Sequence, residues 1–229
     1  MTYDYIIIGG GIVGASTAWQ LQQRFPEQKI LLLEKEADYS QHQTGHNSGV
    51  VHAGVYYEPG SLKAKLCKAG AAATIAFCES NQIPYDRCGK LLVATNALEV
   101  ARMHALVERC QRNEIDVELL DAQQLKSREP NIVGLGALLV KATAIVDYQQ
   151  ITTKMVERFV ELGGETRLNH EVVDLNESAD DVKVVALHQG EKTSFNARFL
   201  MSCSGLMADR ITRMMGLQTD FQLVPFRGE

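Results

Sequence analysis

A glycine-rich turn between a short apolar strand and a helix is the feature that most constrains the fold. The apolar run Tyr5 to Ile8 leads into a G-x-G-x-x-G pattern, whose glycines are Gly9, Gly11 and Gly14. In such a turn the first glycine permits a sharp bend, the second lets a pyrophosphate approach the backbone, and the third allows the helix to pack closely on the strand. The amides and the positive dipole end of the helix then bind the phosphates. The pattern therefore predicts a βαβ unit that binds a dinucleotide.

The second strand of that unit ends in an acid. Lys29 to Leu33 is predicted to be a strand, and Glu34 follows it directly. A carboxylate at this position accepts hydrogen bonds from the ribose hydroxyls of an adenosine and repels a 2′-phosphate. The residues thus indicate FAD or NAD rather than NADP. We expect the intervening helix to bury an apolar face that consists of Val13, Ala18 and Leu21.

Charge and cysteine content narrow the class of protein. The 229 residues carry a formal net charge of −5, which argues against a nucleic-acid-binding surface. The five cysteines show no C-x-x-C pair, which favours free thiols in a reducing compartment. His42 and His46 have the spacing of a helical metal site, but Thr44 and Gly45 between them argue against a helix, so we predict no metal site. Because no segment has the length of a membrane span and the start lacks a signal peptide, we expect a cytoplasmic protein.

Helices and strands alternate along the rest of the chain. An alanine-rich helix is predicted from Leu62 to Ser80, packed closely through its small side chains. Asn96 is predicted to cap a helix from Ala97 to Arg112 that turns Leu98, Met103, Leu106 and Val107 toward a core. A helix from Tyr148 to Leu162 ends at two glycines. Strands are predicted at 90–95, 117–120, 137–140, 170–175, 182–188 and 195–203, and a further strand starts at 221–226.

These elements predict an α/β fold, in which a Rossmann-like nucleotide-binding domain is interrupted by an incomplete, mixed α+β substrate domain. Residues 1–88 and 148–218 are expected to form the nucleotide-binding domain, and residues 89–147 and 219–229 to begin the substrate domain. Because a strand has just started where the sequence stops, we expect this chain to be part of a longer protein.

The segment from Thr44 to Tyr57 resembles the second flavin-contacting segment of the D-amino-acid-oxidase-like FAD oxidoreductases. The resemblance is strongest to the bacterial L-2-hydroxyglutarate oxidase and dehydrogenase branch, and it covers the whole chain. Further matching segments are CGK at 88–90, REPN at 128–131, SCSGLMAD at 202–209 and PFRGE at 225–229. In physical terms, the small and hydrogen-bonding residues of 44–54 suit a backbone that lies against a large planar ligand. A well-packed polar loop is the alternative.

The resemblance implies FAD as the cofactor. In the family, the strand end at 203–205 closes over the flavin pyrophosphate, and the matching position is Gly205; a simple packing turn is the alternative. The full set of predicted cofactor contacts is Gly9, Gly11, Gly14, Glu34, Lys35, Thr44, Gly45, Asn47, Ser48, Val173 and Gly205.

The resemblance also implies an activity, the oxidation of L-2-hydroxyglutarate to 2-oxoglutarate. Hydride passes to the flavin, and the electrons then pass to oxygen or to a membrane quinone. His52 is predicted to be the base, since histidine exchanges protons near neutral pH; a flavin contact without proton transfer, and a base outside this chain, stay open. Arg227 is predicted to bind a substrate carboxylate through its paired donors. Tyr56 is predicted to orient the substrate or to pack under the flavin.

Three other functions fit the same residues. The first is another enzyme of the superfamily that acts on glycerol 3-phosphate or an amino acid. The second is a non-catalytic flavin-binding module, and the third is an NAD-dependent dehydrogenase. The expected partners are a small 2-hydroxy acid and a membrane quinone, reached by peripheral contact with the inner membrane. No oligomeric state follows from the sequence.

Overall fold

The computed structural model describes residues 2–226, and the chain divides into two compact units. Of the described residues, 2–47 and 148–226 form the first unit and 48–147 form the second. These units differ from the predicted domains in where residues 48–88 and 219–226 fall. The domain assignment itself stays a prediction.

The strands and helices are numbered here in chain order. The strands are β1 (Thr2–Ile8), β2 (Ile30–Leu33), β3 (Val50–Val51), β4 (Tyr85–Asp86), β5 (Lys90–Ala94), β6 (Val117–Asp121), β7 (Gly136–Val140), β8 (Ala144–Val146), β9 (Glu165–Arg167), β10 (Glu171–Glu177), β11 (Val182–His188) and β12 (Glu191–Ser202). The helices are α1 (Ile12–Arg24), α2 (Leu62–Ser80), α3 (Ala97–Arg112), α4 (Ala122–Arg128), α5 (Tyr148–Glu161) and α6 (Ala208–Met214), and a 3₁₀ turn spans Gly205–Met207.

The first unit contains a six-stranded sheet in the order β10-β11-β12-β1-β2-β9. The strands β12, β1, β2 and β9 run parallel, whereas β10 and β11 form an antiparallel hairpin that joins β12 at its edge. The central strand β1 therefore pairs with β2 on one side and with β12 on the other. This arrangement brings the carboxyl ends of β1, β2 and β12 to one edge of the sheet, which is where parallel α/β sheets bind ligands.

Both faces of this sheet are buried, which explains the continuous apolar runs in β1 and β2. Alternate residues of each strand point to opposite faces. On one face Ile7 and Leu32 pack with α1 and α5, and on the other Ile6 and Leu31 face away from those helices.

Helix α1 presents a different face to the sheet from the one predicted. Its buried residues are Gly14, Ala15, Ala18 and Gln22, whereas the side chain of Val13 is 62% exposed. The prediction for Val13 is therefore wrong, while that for Ala18 is confirmed. At about 100° of rotation per residue, Val13 lies on the side of the helix opposite to this face. The close approach of Gly14 sets the rotation of the helix.

The second unit contains two antiparallel three-stranded sheets, ordered β3-β8-β4 and β5-β7-β6. Helix α3 packs on the second of these sheets and buries Met103 and Cys110, while Leu106 and Val107 are half-buried. The predicted cap is confirmed, because the side-chain oxygen of Asn96 accepts a hydrogen bond from the amide of Glu99 at 3.0 Å. Leu98 is 59% exposed, contrary to the prediction, since it is rotated by about 140° from Met103 around the helix.

Two further predictions need correction. Helix α2 has the predicted bounds, with the hydroxyl of Ser61 accepting from the amide of Ala64, but only Phe77 and Cys78 are buried along it. Close packing through its small side chains is therefore wrong for the described residues, because the alanines of the helix are not buried and its two buried side chains lie in the last turns. The apolar run at 221–226 is exposed and forms no strand, since it pairs with no neighbouring strand.

Within residues 2–226 no helix has both the length and the hydropathy that a bilayer crossing requires.

Candidate functional site

The glycine turn that follows β1 holds backbone segments closer together than side chains would permit. Gly9 has a φ of +110°, and a Cβ built on it would lie 2.5 Å from the carbonyl oxygen of Cys203. A Cβ on Gly14 would lie 1.8 Å from the carbonyl oxygen of Gly9. Only glycine fits at these two positions. The turn therefore places the first turn of α1 directly against the ends of β1 and β12.

The amino end of α1 presents unused hydrogen-bond donors. The amide of Ile12 donates to the hydroxyl oxygen of Thr44 at 2.9 Å. Across residues 2–226, the amides of Gly11, Val13 and Gly14 donate to no acceptor, and the first turn of the helix contains no acid. Free amides at the positive end of a helix dipole form a binding site for an anion such as a pyrophosphate.

Glu34 is buried at the end of β2, beside the glycine turn. One of its carboxylate oxygens accepts the amide of Gly10, and the other accepts the amide of Glu36 at 2.9 Å. The side chain is 7% exposed. An ionised carboxylate has about four acceptor positions, so two amides leave capacity for the hydroxyls of a ribose.

A β-bulge at Val173 lies three residues after His170, which contacts the backbone of Glu34. The amide of His170, just before β10, donates to the carbonyl oxygen of Glu34 at 2.9 Å. In the ladder between β10 and β11, Val172 pairs with Ala186 while Asp174 pairs with the adjacent Val185. Val173 is the extra residue of this bulge and is half-buried. The extra residue of a bulge is left without a partner in the ladder.

The segment that precedes the second unit folds back onto the glycine turn. The amide of Ser40 donates to the carbonyl oxygen of Gly10 at 3.2 Å, and a Cβ on Gly45 would lie 2.3 Å from the carbonyl oxygen of Ser40. The hydroxyl of Ser40 is buried and has no partner within the described part of the chain. No pattern in the sequence points to this residue. Its φ of +62° leaves no signal in the sequence, because serine rarely adopts that conformation.

The end of β12 also reaches the glycine turn. The amide of Cys203 donates to the carbonyl oxygen of Ile8 at 2.8 Å, and Gly205 begins a 3₁₀ turn two residues later with a φ of +53° and open space around its Cβ position. Burial raises the pKa of the Cys203 thiol, while a hydrogen bond with Thr17 opposes this effect. The thiol is therefore neutral at pH 7 and adds no negative charge beside an anion site.

Three other predicted cofactor residues have mainly local contacts. Lys35 forms an ion pair with Glu36 at 3.4 Å. The side-chain amide of Asn47 donates to the carbonyl oxygen of Thr44 at 2.6 Å, which holds the loop closed. Ser48 is exposed and belongs to the second unit.

The predicted catalytic and substrate-binding residues lie in the second unit or outside the described residues. His52 is exposed, and its carbonyl oxygen accepts a hydrogen bond from the thiol of Cys67 at 3.1 Å. Tyr56 is 58% exposed, and the ammonium of Lys90 lies 5.7 Å from the centroid of its ring. Arg227 lies outside the described residues.

The parallel sheet, the glycine turn and the buried acid after the second strand define a Rossmann-type nucleotide-binding fold. Two solved structures share this fold. The L-alpha-glycerophosphate oxidase from Mycoplasma pneumoniae with FAD bound aligns with a TM-score of 0.85 at 22% identity, over 94% of this chain and 57% of its own. Glycine oxidase from Geobacillus kaustophilus aligns with a TM-score of 0.84 at 20% identity, over 95% of this chain and 59% of its own. The predicted Rossmann-like α/β fold is thereby confirmed.

Residues 4–229 match the family described as FAD dependent oxidoreductase, and the chain belongs to that family. The chain is 54% identical over 227 residues to the L-2-hydroxyglutarate dehydrogenase of Escherichia coli (strain K12), which covers 99% of this chain and 53% of that protein. It is 41% identical over 229 residues to the mitochondrial L-2-hydroxyglutarate dehydrogenase of Caenorhabditis elegans, again over 99% of this chain and 53% of that protein. The chain thus spans about half the length of these curated relatives.

The residues of the first unit fit FAD, the cofactor of this family. The free amides at the start of α1 provide donors for a pyrophosphate. Because Gly9 and Gly14 have no side chains, the start of α1 can pack closely against the ends of β1 and β12. Glu34 provides an acceptor of the right charge for ribose hydroxyls. The cofactor predicted from the sequence is therefore confirmed as FAD by the family.

Proposed function

We propose that the protein oxidises L-2-hydroxyglutarate to 2-oxoglutarate, with FAD held by the first unit as the hydride acceptor. The observation that carries this proposal is the 54% identity to an L-2-hydroxyglutarate dehydrogenase over 99% of the chain. The geometry of the first unit supports the cofactor half of the proposal, because its anion site and its buried acid suit an adenine dinucleotide.

Different residues of the first unit would contact different parts of FAD. The amides of Gly11, Val13 and Gly14 would donate to the pyrophosphate, and Gly205 would approach it from the end of β12. The carboxylate of Glu34 would accept hydrogen bonds from the ribose hydroxyls. The unpaired backbone of Val173 would bind the edge of the adenine ring, since the amide and carbonyl groups of a bulge can match such a ring edge. Thr44, Gly45 and Asn47 would shape the loop beside the pyrophosphate, and Lys35 and Ser48 are the remaining proposed contacts.

His52 would take the proton from the substrate hydroxyl. Its ring is exposed and thus open to a ligand, while the thiol of Cys67 holds its backbone carbonyl. A neutral imidazole is a suitable base at physiological pH. Removal of this proton favours hydride loss from the adjacent carbon, and bound FAD supplies the hydride acceptor. Tyr56 and Arg227 would contact the substrate, and Arg227 would bind a carboxylate through paired donors.

The electrons would then leave to a quinone or to oxygen. A quinone acceptor implies that the protein contacts a membrane at its surface. Comparing oxygen consumption with the reduction of a water-soluble quinone in steady-state turnover would distinguish the two acceptors.

The decisive experiment is anaerobic mixing of the full-length, FAD-loaded protein with single substrates. We expect L-2-hydroxyglutarate to bleach the visible absorbance of the flavin and D-2-hydroxyglutarate to leave it unchanged. Bleaching by glycerol 3-phosphate or by an amino acid instead would identify another activity of the same family. A flavin that stays oxidised with all of these compounds would contradict the proposal and indicate a non-catalytic flavin-binding module.

A further inference from the structure

A cavity of about 410 Å³ lies within the second unit between helix α3 and strand β5. Its walls are largely apolar, and polar side chains occupy one part of its lining. The apolar lining includes Leu92 and Ala94 from β5 and Met103 and Leu106 from α3. The polar lining includes Tyr56, Glu99, Arg102 and Arg109. A cavity with an apolar body and a few charged groups is typical of a site for a small organic ion.

The guanidinium of Arg109 has a buried donor, its Nε, that no group within residues 2–226 accepts. One terminal nitrogen of its guanidinium donates to the carbonyl oxygen of Tyr56 at 3.3 Å. Its Nε is buried and donates to no acceptor in residues 2–226, and no carboxylate of those residues lies within ion-pairing distance of it. A buried donor without an acceptor destabilises a protein, and a half-buried cation without a counter-ion does so further. A bound anion would accept a hydrogen bond from the Nε of Arg109 and would also neutralise the charge of its guanidinium.

The charges around the cavity favour an anion. Arg102 and Arg109 line it, and the ammonium of Lys90 lies over the ring of Tyr56, which also lines it. The acid in the lining, Glu99, is already engaged, because one of its oxygens accepts the amide of Thr95 at 2.7 Å and its hydroxyl at 2.8 Å. The cavity and its rim therefore have three cationic side chains and one carboxylate, and that carboxylate already accepts two hydrogen bonds.

We propose that this cavity binds a small dicarboxylate, with Arg109 as the anchor of one carboxylate and the apolar wall against the methylene groups. A guanidinium offers paired donors that match the two oxygens of a carboxylate. The proposal rests on the proposed function for the identity of the acid, which is the 2-hydroxy acid substrate. In this proposal Arg109 binds the substrate. Tyr56 positions Arg109, because its carbonyl oxygen accepts a hydrogen bond from the guanidinium.

Glutarate, a dicarboxylate that cannot be oxidised at a hydroxyl, is a suitable probe. We expect isothermal titration calorimetry to show glutarate binding to the full-length, FAD-loaded protein, and Arg109→Gln to weaken this binding at least tenfold. Arg112→Gln is the matched control, because Arg112 is an exposed arginine on the same helix outside the cavity lining, and it should leave binding unchanged. Equal binding to wild type and Arg109→Gln, or no binding to wild type, would overturn the proposal.

Steady-state kinetics test the substrate assignment separately. Arg109→Gln should raise the KM for L-2-hydroxyglutarate at least tenfold while changing kcat much less, and an unchanged KM would overturn the assignment. Should Arg109→Gln fail to fold, Arg109→Lys keeps the charge without the paired donors and should weaken glutarate binding by an intermediate factor; wild-type affinity in that variant would contradict the anchor. If no hydroxy acid reduces the flavin, the proposed function fails, and the glutarate titration still decides whether the cavity is a carboxylate site.

Discussion

Gly14 lies so close to Gly9 that a single added methyl group on Gly14 would sit 1.8 Å from the carbonyl oxygen of Gly9. The obstacle is backbone rather than a flexible side chain, so it can be relieved only if α1 moves away from β1. The amides of the α1 amino end would then lose their position relative to the turn. The geometry of the anion site therefore requires that residue 14 have a hydrogen atom in place of a side chain.

Replacing Gly14 by Ala should therefore reduce both stability and FAD content. We expect a loss of about 1–3 kcal/mol in the free energy of unfolding, as for overpacked cores, and a clear fall in the ratio of flavin to protein after purification. Gly70→Ala is the control, because Gly70 lies within α2 with open space around its Cβ position and alanine favours a helix. Urea denaturation and flavin absorbance measure the two effects. Full FAD content in Gly14→Ala would contradict the prediction.

Glu34→Gln should weaken FAD binding although it changes few atoms. Both carboxylate oxygens of Glu34 accept backbone amides, those of Gly10 and Glu36. A glutamine has one oxygen, so its amino group would face an amide donor and the charge near the ribose would vanish. We expect a rise in the FAD dissociation constant of about 10- to 100-fold, from the usual cost of an unsatisfied buried polar group.

Titration of the apo-protein with FAD, followed by flavin fluorescence, measures this change. Glu36→Gln is the control, since the side chain of Glu36 is half-buried and contacts Lys35 and His42 rather than the glycine turn, and it should alter affinity little. Equal dissociation constants for the two variants would refute the role of Glu34.

Thr44→Val should destabilise the first unit even in the absence of FAD. The hydroxyl oxygen of Thr44 accepts the amide of Ile12, the first residue of α1. Loss of a side-chain acceptor at a helix amino end costs about 1 kcal/mol. Thr44→Ser keeps the hydroxyl and should recover most of the loss in chemical denaturation of the apo-protein. A valine variant as stable as wild type would show that the hydrogen bond contributes nothing.

His52→Asn should slow flavin reduction without loss of FAD. If His52 is the base, we expect the rate to fall by about 10²- to 10⁴-fold, as measured by anaerobic stopped-flow absorbance. His104→Asn, an exposed histidine on α3, serves as the control and should leave the rate unchanged. An unaffected rate in His52→Asn would remove His52 from the mechanism.

Stability should fall as the pH rises above neutrality, because burial raises the pKa of the Cys78 and Cys110 thiols above the ordinary value of 9.0. Between the ordinary and the raised pKa, the unfolded chain has released these protons while the folded chain keeps them, so unfolding is favoured. The contribution is complete below the ordinary pKa and is lost as the pH rises through the folded pKa. Urea denaturation from pH 7 to pH 10 should show this decline, and replacing both cysteines by alanine should make it shallower, while Cys67 and Cys203, whose pKa burial also raises, keep part of it. Equal slopes in the two proteins would contradict the assignment.

The elements with local signals were predictable from the sequence. Asn96 and Ser61 mark helix starts because their side chains accept amides of the first turn, and the structure has both helices within the predicted bounds. Glu34 was found because the spacing of a βαβ unit places an acid after its second strand.

The remaining features depend on long-range contacts that no local pattern encodes. The rotation of α1, which exposes Val13, follows from the approach of Gly14 to β1. The bulge at Val173 arises from the pairing of β10 with β11, and valine is an ordinary strand residue. Ser40 adopts its unusual backbone conformation because Gly10 and Gly45 approach it, and Arg109 meets Tyr56 across 53 residues of chain.

The central position of β1 has a consequence for the order of events during synthesis. Thr2 pairs with Asn196, and Ile8 pairs with Ser202, so β1 cannot complete its pairing until β12, much later in the chain, has been synthesised. The second unit is continuous in sequence and can form its contacts meanwhile. Contacts between distant segments form slowly. A nascent chain therefore leaves one edge of the apolar strand β1 unpaired until β12 is made, and the glycine turn acquires its contact with Cys203 only after that point.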